Sequence, residues 1–550
     1  MNRQRLFTAL FVLFSPCLLP AKPQEPAPTP RLVLQITVDQ LRGDLLDRMR
    51  SRFVEGGLGR LMTEGAHYTV AHYAHGSTMT APGHATLFTG ANPREHGIVA
   101  NEWFDPKTGH VVYNCEDMDH AELGAEPKRG AGSSPKNLMG STIGDELVVA
   151  SGGRSRVFAV SVKDRGAILP AGHLGKGFWF SKDTGGFVTS DFYYELEPEW
   201  MRTWNELKLA DAYAGLSWQL HSEEGTYLYE DDREFERGTR TLGRTFPKAY
   251  PAEPGRALYS ALTSSPVGDE LTLAFAVELM KSEALGKGEH TDFLAVSFSM
   301  ADYVGHMWGP SSREAEDNLL RLDETIMQLL DQVDRHVGLQ NTVIVLSADH
   351  GAPDATQRLS ELGAHVDWVD AGELLKAANL AVKQHFAIED SLIRSHVVPY
   401  LYLDHPKILE LGLDSREVAN VISTSAEAQP GVAHAVPRWR LESGAMPRGP
   451  LFDRLAASFN GERSGDLWLV PEPQWQLGSG NAESVLTSLH GSPWSYDTHV
   501  PILFMGPSIP KGRHHRPVAP RDIAPTLALM LRIKAPSVST GEPLYEVLAD

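Results

Sequence analysis

The stretch TVIVLSADH, residues 342–350, begins as an apolar, β-branched run and ends on Asp349 and His350, two side chains able to hold a metal. A run that is continuous rather than alternating suits a strand buried on both faces of a largely parallel sheet. The same design recurs along the chain. LVLQITV (32–38) ends at Asp39, VFAVSV (157–162) at Lys163-Asp164-Arg165, and FLAVSF (293–298) runs into Ser299 and Asp302. VPILFM (500–505) stops at Gly506 and Pro507. Helical periodicity lies between these runs, most clearly over 313–337, where Leu319, Leu322, Ile326, Leu329, Leu330 and Val333 share one face. Ser311 and Glu314 have capping-box spacing before it and Gly338 closes it. Strand–helix–strand order predicts an α/β fold, a doubly wound and mostly parallel central sheet flanked by helices. Ligands of such sheets bind beyond the carboxyl ends of the strands, where four of the runs place their polar residues.

The chain has 550 residues, 42% of them hydrophobic, enough for an enzyme-sized core. Its net charge of -20 argues against nucleic acid or an anionic membrane as partner, and demands a locally positive site if the substrate is an anion. Residues 1–21, with a basic start and a short apolar run, read as a secretory signal peptide, and KPQEPAPTP (22–30) as a Pro-rich tether. One catalytic domain is expected over 31–550. Trp-, Tyr- and Glu-rich residues at about 172–270 read as a cap insertion, and about 355–485 as a second inserted subdomain. Cys17 leaves with the signal peptide or, in the poor context of Ser15-Pro16, carries a lipid, so Cys115 has no cysteine to pair with. An exported protein without disulfides fits a bacterial periplasm. A monomer without a stable membrane partner is expected.

Asp302 and His306 are four residues apart, hence on one face of a helical turn. Asp349 and His350 make a second pair, and Asp39 and His490 offer two further ligands. Oxygen and imidazole donors without thiolate suit zinc in an open, catalytic site. Residues 77–90 (STMTAPGHATLFTG) read as a tight turn into a short helix, with Pro82 in its first turn and Thr80 at or just before its N-cap. A helix N-terminus favours negative charge, and a hydroxyl beside a divalent metal can be deprotonated to attack phosphorus. Read alone, Thr80 is a capping residue, and Thr78 competes with it as the hydroxyl.

Taken together these motifs resemble the alkaline phosphatase superfamily, and within it the periplasmic phosphate-irrepressible (PafA-type) alkaline phosphatases, which use a threonine nucleophile. The matching segments are VDQLR (38–42), TAPGH (80–84), HGIVAN (96–101), KDR (163–165), DYVGH (302–306), ADHG (348–351), HGS (490–492), YDTHVP (496–501) and DIAPT (522–526). The resemblance implies two zinc ions. One would be held by Asp39, Thr80, Asp349 and His350, the other by Asp302, His306 and His490. His84 and His96 are expected to be structural and His499 to support the site from behind. The resemblance also implies that Asn101, Lys163 and Arg165 contact the non-bridging phosphate oxygens. Lys163 and Arg165, alternating on an extended backbone, would point the same way. The expected reaction is hydrolysis of small-molecule phosphate monoesters through a phosphothreonine at Thr80. The alternatives are a phosphodiesterase or nucleotide pyrophosphatase of the same superfamily and, more distantly, a non-catalytic exported protein that binds zinc or phosphate. Two cations at 163 and 165 favour a dianionic terminal phosphoryl group over a diester.

Overall fold

Burial on both faces marks the strands at the centre of the molecule, as their continuous apolar runs require. The computed structural model describes residues 29–126, 132–478 and 486–548, so the signal peptide and most of the tether lie outside the described residues. Its main sheet contains, in chain order, β1 (Leu32–Val38), β2 (Ala66–His72), β3 (Glu122–Leu123), β4 (Val157–Ser161), β5 (Lys176–Phe180), β6 (Phe187–Ser190), β7 (Asp292–Phe298), β8 (Thr342–Ser347), β9 (His499–Met505) and β10 (Gly512–His514). They lie in the order β10-β2-β9-β8-β1-β7-β4-β5-β6-β3. The run β8-β1-β7-β4-β5 is parallel throughout, and β1, β7 and β8 are buried at every position.

Helices cover both faces. Alternate residues of the strands divide between two cores, with Leu34, Ile36, Val296 and Leu346 on one side and Val33, Phe293, Ala295 and Val345 on the other. Five helices matter below: α1 (Thr80–Thr89), α2 (Arg165–Ala171), α3 (Val267–Ser282), α4 (Met300–Trp308) and α5 (Arg313–His336). Residues of α3 and α5 fill the first core and residues of α1 and α2 the second. This is the doubly wound α/β sandwich that the sequence predicts.

Three expectations change in detail. β9 runs antiparallel to both β8 and β2, so its amino end, preceded by His490, reaches the edge where the parallel strands end. The cap of α5 is Ser312, whose hydroxyl accepts from the Ala315 amide at 3.1 Å, and not Ser311, which donates to Asp354 instead. Glu314 is turned inward to Lys248 at 2.7 Å, so it closes no capping box. The stretch expected as a cap from 172 divides: β5 and β6 join the main sheet, and α3 packs on it. The 355–485 stretch contains a four-stranded antiparallel sheet (Ile393–Val397, Tyr400–Leu403, Leu467–Pro471 and Val432–Pro437), two longer helices (Ala371–Phe386 and Ser415–Glu427) and its own core.

The segment before α3 is tied to α4 through backbone amides of Arg237 and Gly238, both donating to the Met307 carbonyl at 3.0 Å. Beneath this contact Glu236 is buried, and neither of its carboxylate oxygens has a hydrogen-bond partner among the described residues. Burial, then the nearby Glu314, pushes its carboxyl up to about 8 from an ordinary 4.5. The unfolded chain therefore gives up this proton first. Stability contributed by neutral Glu236 is complete below pH 4.5 and is lost as pH rises towards 8. Glu236→Gln is expected to flatten this decline, gaining about 1–2 kcal/mol at pH 9. Urea melts of both proteins at pH 5 and 9 measure it, and parallel pH dependences would refute it.

Candidate active site

Four neighbouring parallel strands deliver the site. Asp39 follows β1, Lys163 follows β4, Asp302 sits in the first turn of α4 after β7, and Asp349 and His350 follow β8. The Asp39 amide donates to the Phe298 carbonyl at 2.9 Å, continuing the β1–β7 ladder to the site. Two ligand groups result. Asp39, Asp349 and His350 form one, and Asp302, His306 and His490 the other, with the donor atoms of each within 4.8 Å of one another.

Their chemistry fits cations. Asp39 Oδ1 and His350 Nε2 are fully buried, lie 3.4 Å apart and have no hydrogen-bond partner among the described residues. Asp349 Oδ2 lies 3.6 Å from the same nitrogen. In the second group Asp302 Oδ1 is 3.1 Å from His306 Nε2 and 3.2 Å from His490 Nε2. All three imidazoles are oriented alike, with Nδ1 bonded to a backbone carbonyl: His350 to Gly351 at 3.0 Å, His306 to Ser488 at 2.7 Å, and His490 to Thr78 at 2.8 Å. That bond assigns a proton to Nδ1 and directs Nε2 at its ligand group, where the neutral ring offers a lone pair. Burial lowers His350 to about 3, and lowers His490, so both stay neutral as ligation requires. Burial and Asp349 raise Asp39 well above the usual carboxylate range. Burial also opposes ionisation of Asp302, but protonated His306 and Lys163 outweigh it. Asp302 in turn raises His306 against burial, so without a cation His306 keeps a proton on Nε2 that metal binding would displace. The first group suits a divalent ion bound by two carboxylates and an imidazole, the second one bound by a carboxylate and two imidazoles.

Thr80 is the first residue of α1, one position inside the expected cap, and it makes no capping bond. Its buried hydroxyl instead lies 3.4 Å from both Lys163 Nζ and Arg165 Nη2. Thr78, the competing hydroxyl, donates to the Ser492 carbonyl at 2.7 Å and is thereby occupied. Asn101 Oδ1 accepts from the Ala81 amide at 2.9 Å, which ties it to the same helix start and leaves its NH2 to donate. Lys163 spans the two groups, bonding Asp39 Oδ2 at 2.6 Å and Asp302 Oδ2 at 2.5 Å. Burial disfavours its charge, but Asp302 and Asp39 raise its pKa and keep it an ammonium. Lys163 and Arg165 do face one point, though not by strand alternation: Asp164 is helical and caps α2, whose first residue is Arg165. The turn from strand to helix brings them together.

His84, His96 and His499 belong to neither ligand group. His84 bonds the Thr80 carbonyl and Ser297, each at 2.9 Å, and lies 3.2 Å from Asp349 Oδ2, bracing α1 against the site. His96 bonds Thr86 and the Ile98 amide. His499 Nε2 faces the Thr69 carbonyl and its ring stacks on His72, while its backbone carbonyl accepts from the Gly43 amide at 3.0 Å.

Sequence reasoning missed three supporting residues. Gln40, in the left-handed region at φ 67°, donates its amide to Asp349 Oδ1 at 3.1 Å and its side-chain NH2 to Asp302 Oδ1 at 3.0 Å. It holds one carboxylate of each group, a use that accounts for its strained backbone. Asp497 accepts from the Gly491 amide and from both the amide and hydroxyl of Ser492, fixing the loop of His490. Arg463, from the inserted subdomain, donates to the Gly97 and Asn137 carbonyls at 2.6 Å and braces the loop leading to Asn101. Gln40 and Asp497 fall inside quoted motifs, the one signal available; Arg463 has none.

Gly83 sets how closely α1 approaches β8. A Cβ there would overlap the Asp349 carbonyl and Cβ. Gly83→Ala must therefore push Thr80 away from Asp349 and is expected to cost at least about tenfold in kcat/KM, since a 1 Å misplacement costs about a hundredfold, together with about 1–3 kcal/mol of stability. Steady-state kinetics and thermal melts check both. Wild-type behaviour would mean that α1 has slack.

The chain is similar to known proteins in sequence and in fold. A family model described as type I phosphodiesterase / nucleotide pyrophosphatase matches residues 33–499. Alkaline phosphatase PafA of Elizabethkingia meningoseptica is 33% identical over 98% of this chain and 98% of its own length. The crystal structure of wild-type PafA matches with a TM-score of 0.87 at 32% identity, covering 95% of this chain and 99% of that one. Alkaline phosphatase PhoV of Synechococcus elongatus is 33% identical over 94% and 93% of the two chains. A Myroides odoratus protein named calcium-transporting ATPase is 34% identical over 99% of each.

Proposed function

The chain belongs to the type I phosphodiesterase/nucleotide pyrophosphatase family, within the alkaline phosphatase superfamily, and on that premise we propose that it is a two-zinc alkaline phosphatase, hydrolysing small-molecule phosphate monoesters through a phosphothreonine at Thr80. The observation that carries the reading is the position of the Thr80 hydroxyl, 3.4 Å from both Lys163 and Arg165, at a helix start beside two ligand groups. The names of the PafA and PhoV relatives support the monoesterase activity. The Myroides name adds transport, which needs a path across a bilayer; no helix among the described residues is long and apolar enough to cross one. The composition of residues 1–21 supports export to a periplasm.

Asp39, Thr80, Asp349 and His350 would hold one metal, and Asp302, His306 and His490 the other. When bound, the pair supplies a lowered hydroxyl pKa on the nucleophile side and charge neutralisation for the departing oxygen on the other. Thr80 Oγ1 then attacks phosphorus in line, forming the phosphothreonine ester as the bond to the leaving oxygen breaks. Water attacks the phosphothreonine from the vacated side, releasing phosphate and restoring the hydroxyl. Asn101, Lys163 and Arg165 donate to the equatorial oxygens, whose charge is greatest in the transition state. Arg165 binds two oxygens at once, whereas Lys163 acts as a point charge.

A diester offers those donors one negative charge fewer. Arg165→Ala is therefore expected to lower kcat/KM on an aryl phosphate by roughly 10²–10³ and on a bis-aryl phosphate by under about tenfold. Equal losses on both would favour the diesterase reading.

A further inference from the structure

The ring of Tyr303, next to Asp302 on α4, carries a second cation besides Lys163. Lys163 Nζ lies 4.9 Å from its centroid and Lys182 Nζ 4.8 Å, so the two ammonium groups are at most about 9.7 Å apart, the sum of those distances. Lys182 belongs to the turn that follows β5, closed by hydrogen bonds between Ser181 and both Gly185 and Gly186. Because β5 is parallel to β4, this turn stands at the same edge as Lys163. Both Tyr303 and Lys182 are half-buried, on the solvent side of the fully buried Lys163. Among the described residues no carboxylate pairs with Lys182, and its neighbour Asp183 is engaged by Arg256. In a protein of net charge -20, an unpaired ammonium beside the anion site is a place for substrate charge.

We propose that Lys182, held over the ring of Tyr303, forms a second anion subsite, which takes a phosphate or carboxylate carried by the leaving group of the monoester. The inference rests on the reading of Thr80, Lys163 and Arg165 as the site of the transferred phosphoryl group. Lys163 is bonded to Asp39 and Asp302 within that site, whereas Lys182 meets what extends from it. Sugar-sized leaving groups with a second anion are the class of substrate selected. The charge of Lys182, half in water, is screened by salt, so the preference weakens as ionic strength rises.

The test compares fructose 1,6-bisphosphate with fructose 6-phosphate, on metal-loaded full-length protein at low salt. Lys182→Met is expected to lower the ratio of their kcat/KM values about tenfold, the worth of one charge-assisted hydrogen bond. Lys182→Arg should restore most of it. A ratio that Lys182→Met leaves unaltered, or that Lys182→Arg fails to restore, overturns the subsite. Failure of the wild type to turn over either ester is failure of the monoesterase reading instead. The subsite is then read from calorimetric affinities of the same two ligands, where an unaltered ratio again overturns it.

Discussion

Thr80→Ala is expected to lower kcat on an aryl phosphate by at least about a thousandfold, the scale seen when a nucleophile is removed from an otherwise intact site. The hydroxyl is the reacting group in this account, so binding and chemistry should separate. Asp39, Asp349 and His350 remain to hold metal, and Asn101, Lys163 and Arg165 remain to hold phosphate. The variant should keep near-normal metal content and phosphate affinity while losing the phosphothreonine, which acid quench and peptide mass spectrometry detect in the wild type. Thr80→Ser keeps the hydroxyl and should recover much of the rate. Near-normal turnover by Thr80→Ala would end the assignment, because the occupied hydroxyl of Thr78 offers no substitute in the present backbone.

Removing the metals should have an effect at least as large. Several kcal/mol of transition-state stabilisation from two cations corresponds to roughly ten-thousandfold or more in rate. Dialysis against a chelator is expected to abolish turnover, and added Zn2+ to restore it. Asp349→Ala removes one carboxylate from a three-ligand group and should lower the bound metal by one equivalent. Its effect on folding has the sign of an ordinary ion-pair deletion. Burial with Asp349 raises Asp39, but His350 and His84 outweigh burial at Asp349 itself and hold it well below the usual carboxylate range. Its loss therefore removes a stabilised carboxylate and orphans the Gln40 amide. Asp349→Ala should melt below chelated wild type, and further below metal-loaded wild type. Full activity in verified metal-free protein would contradict the proposal outright.

The centre of the fold was legible because strands buried on both faces advertise themselves as unbroken apolar runs. Their polar ends name the residues that meet at one sheet edge, so Asp39, Asp302, Asp349 and Lys163 could be read without a structure. Direction is a different matter. A run such as VPILFM has the same composition either way round, and nothing in it records that β9 is antiparallel. The aromatic, acidic composition after residue 172 hid β5 and β6, which sit towards the sheet edge and so lack the β-branched signature of its middle. Lys163 and Arg165 converge through a turn that hydrophobic periodicity does not describe. Support residues were least visible. Gln40 reaches Asp302 across 262 positions of sequence, and Arg463 reaches Gly97 across 366. Their roles depend on where backbone carbonyls and carboxylates end up, which no local pattern encodes.

The central claim is a metal-dependent phosphomonoesterase built around Thr80, and one comparison tests it most directly: hydrolysis of an aryl phosphate and of the matching bis-aryl phosphate by protein of measured metal content. Two metals per chain and a kcat/KM at least about a hundredfold higher on the monoester are expected, from the extra charge met by Arg165 and Lys163. A preference for the diester, or no hydrolysis of either ester by the metal-loaded protein, would contradict it.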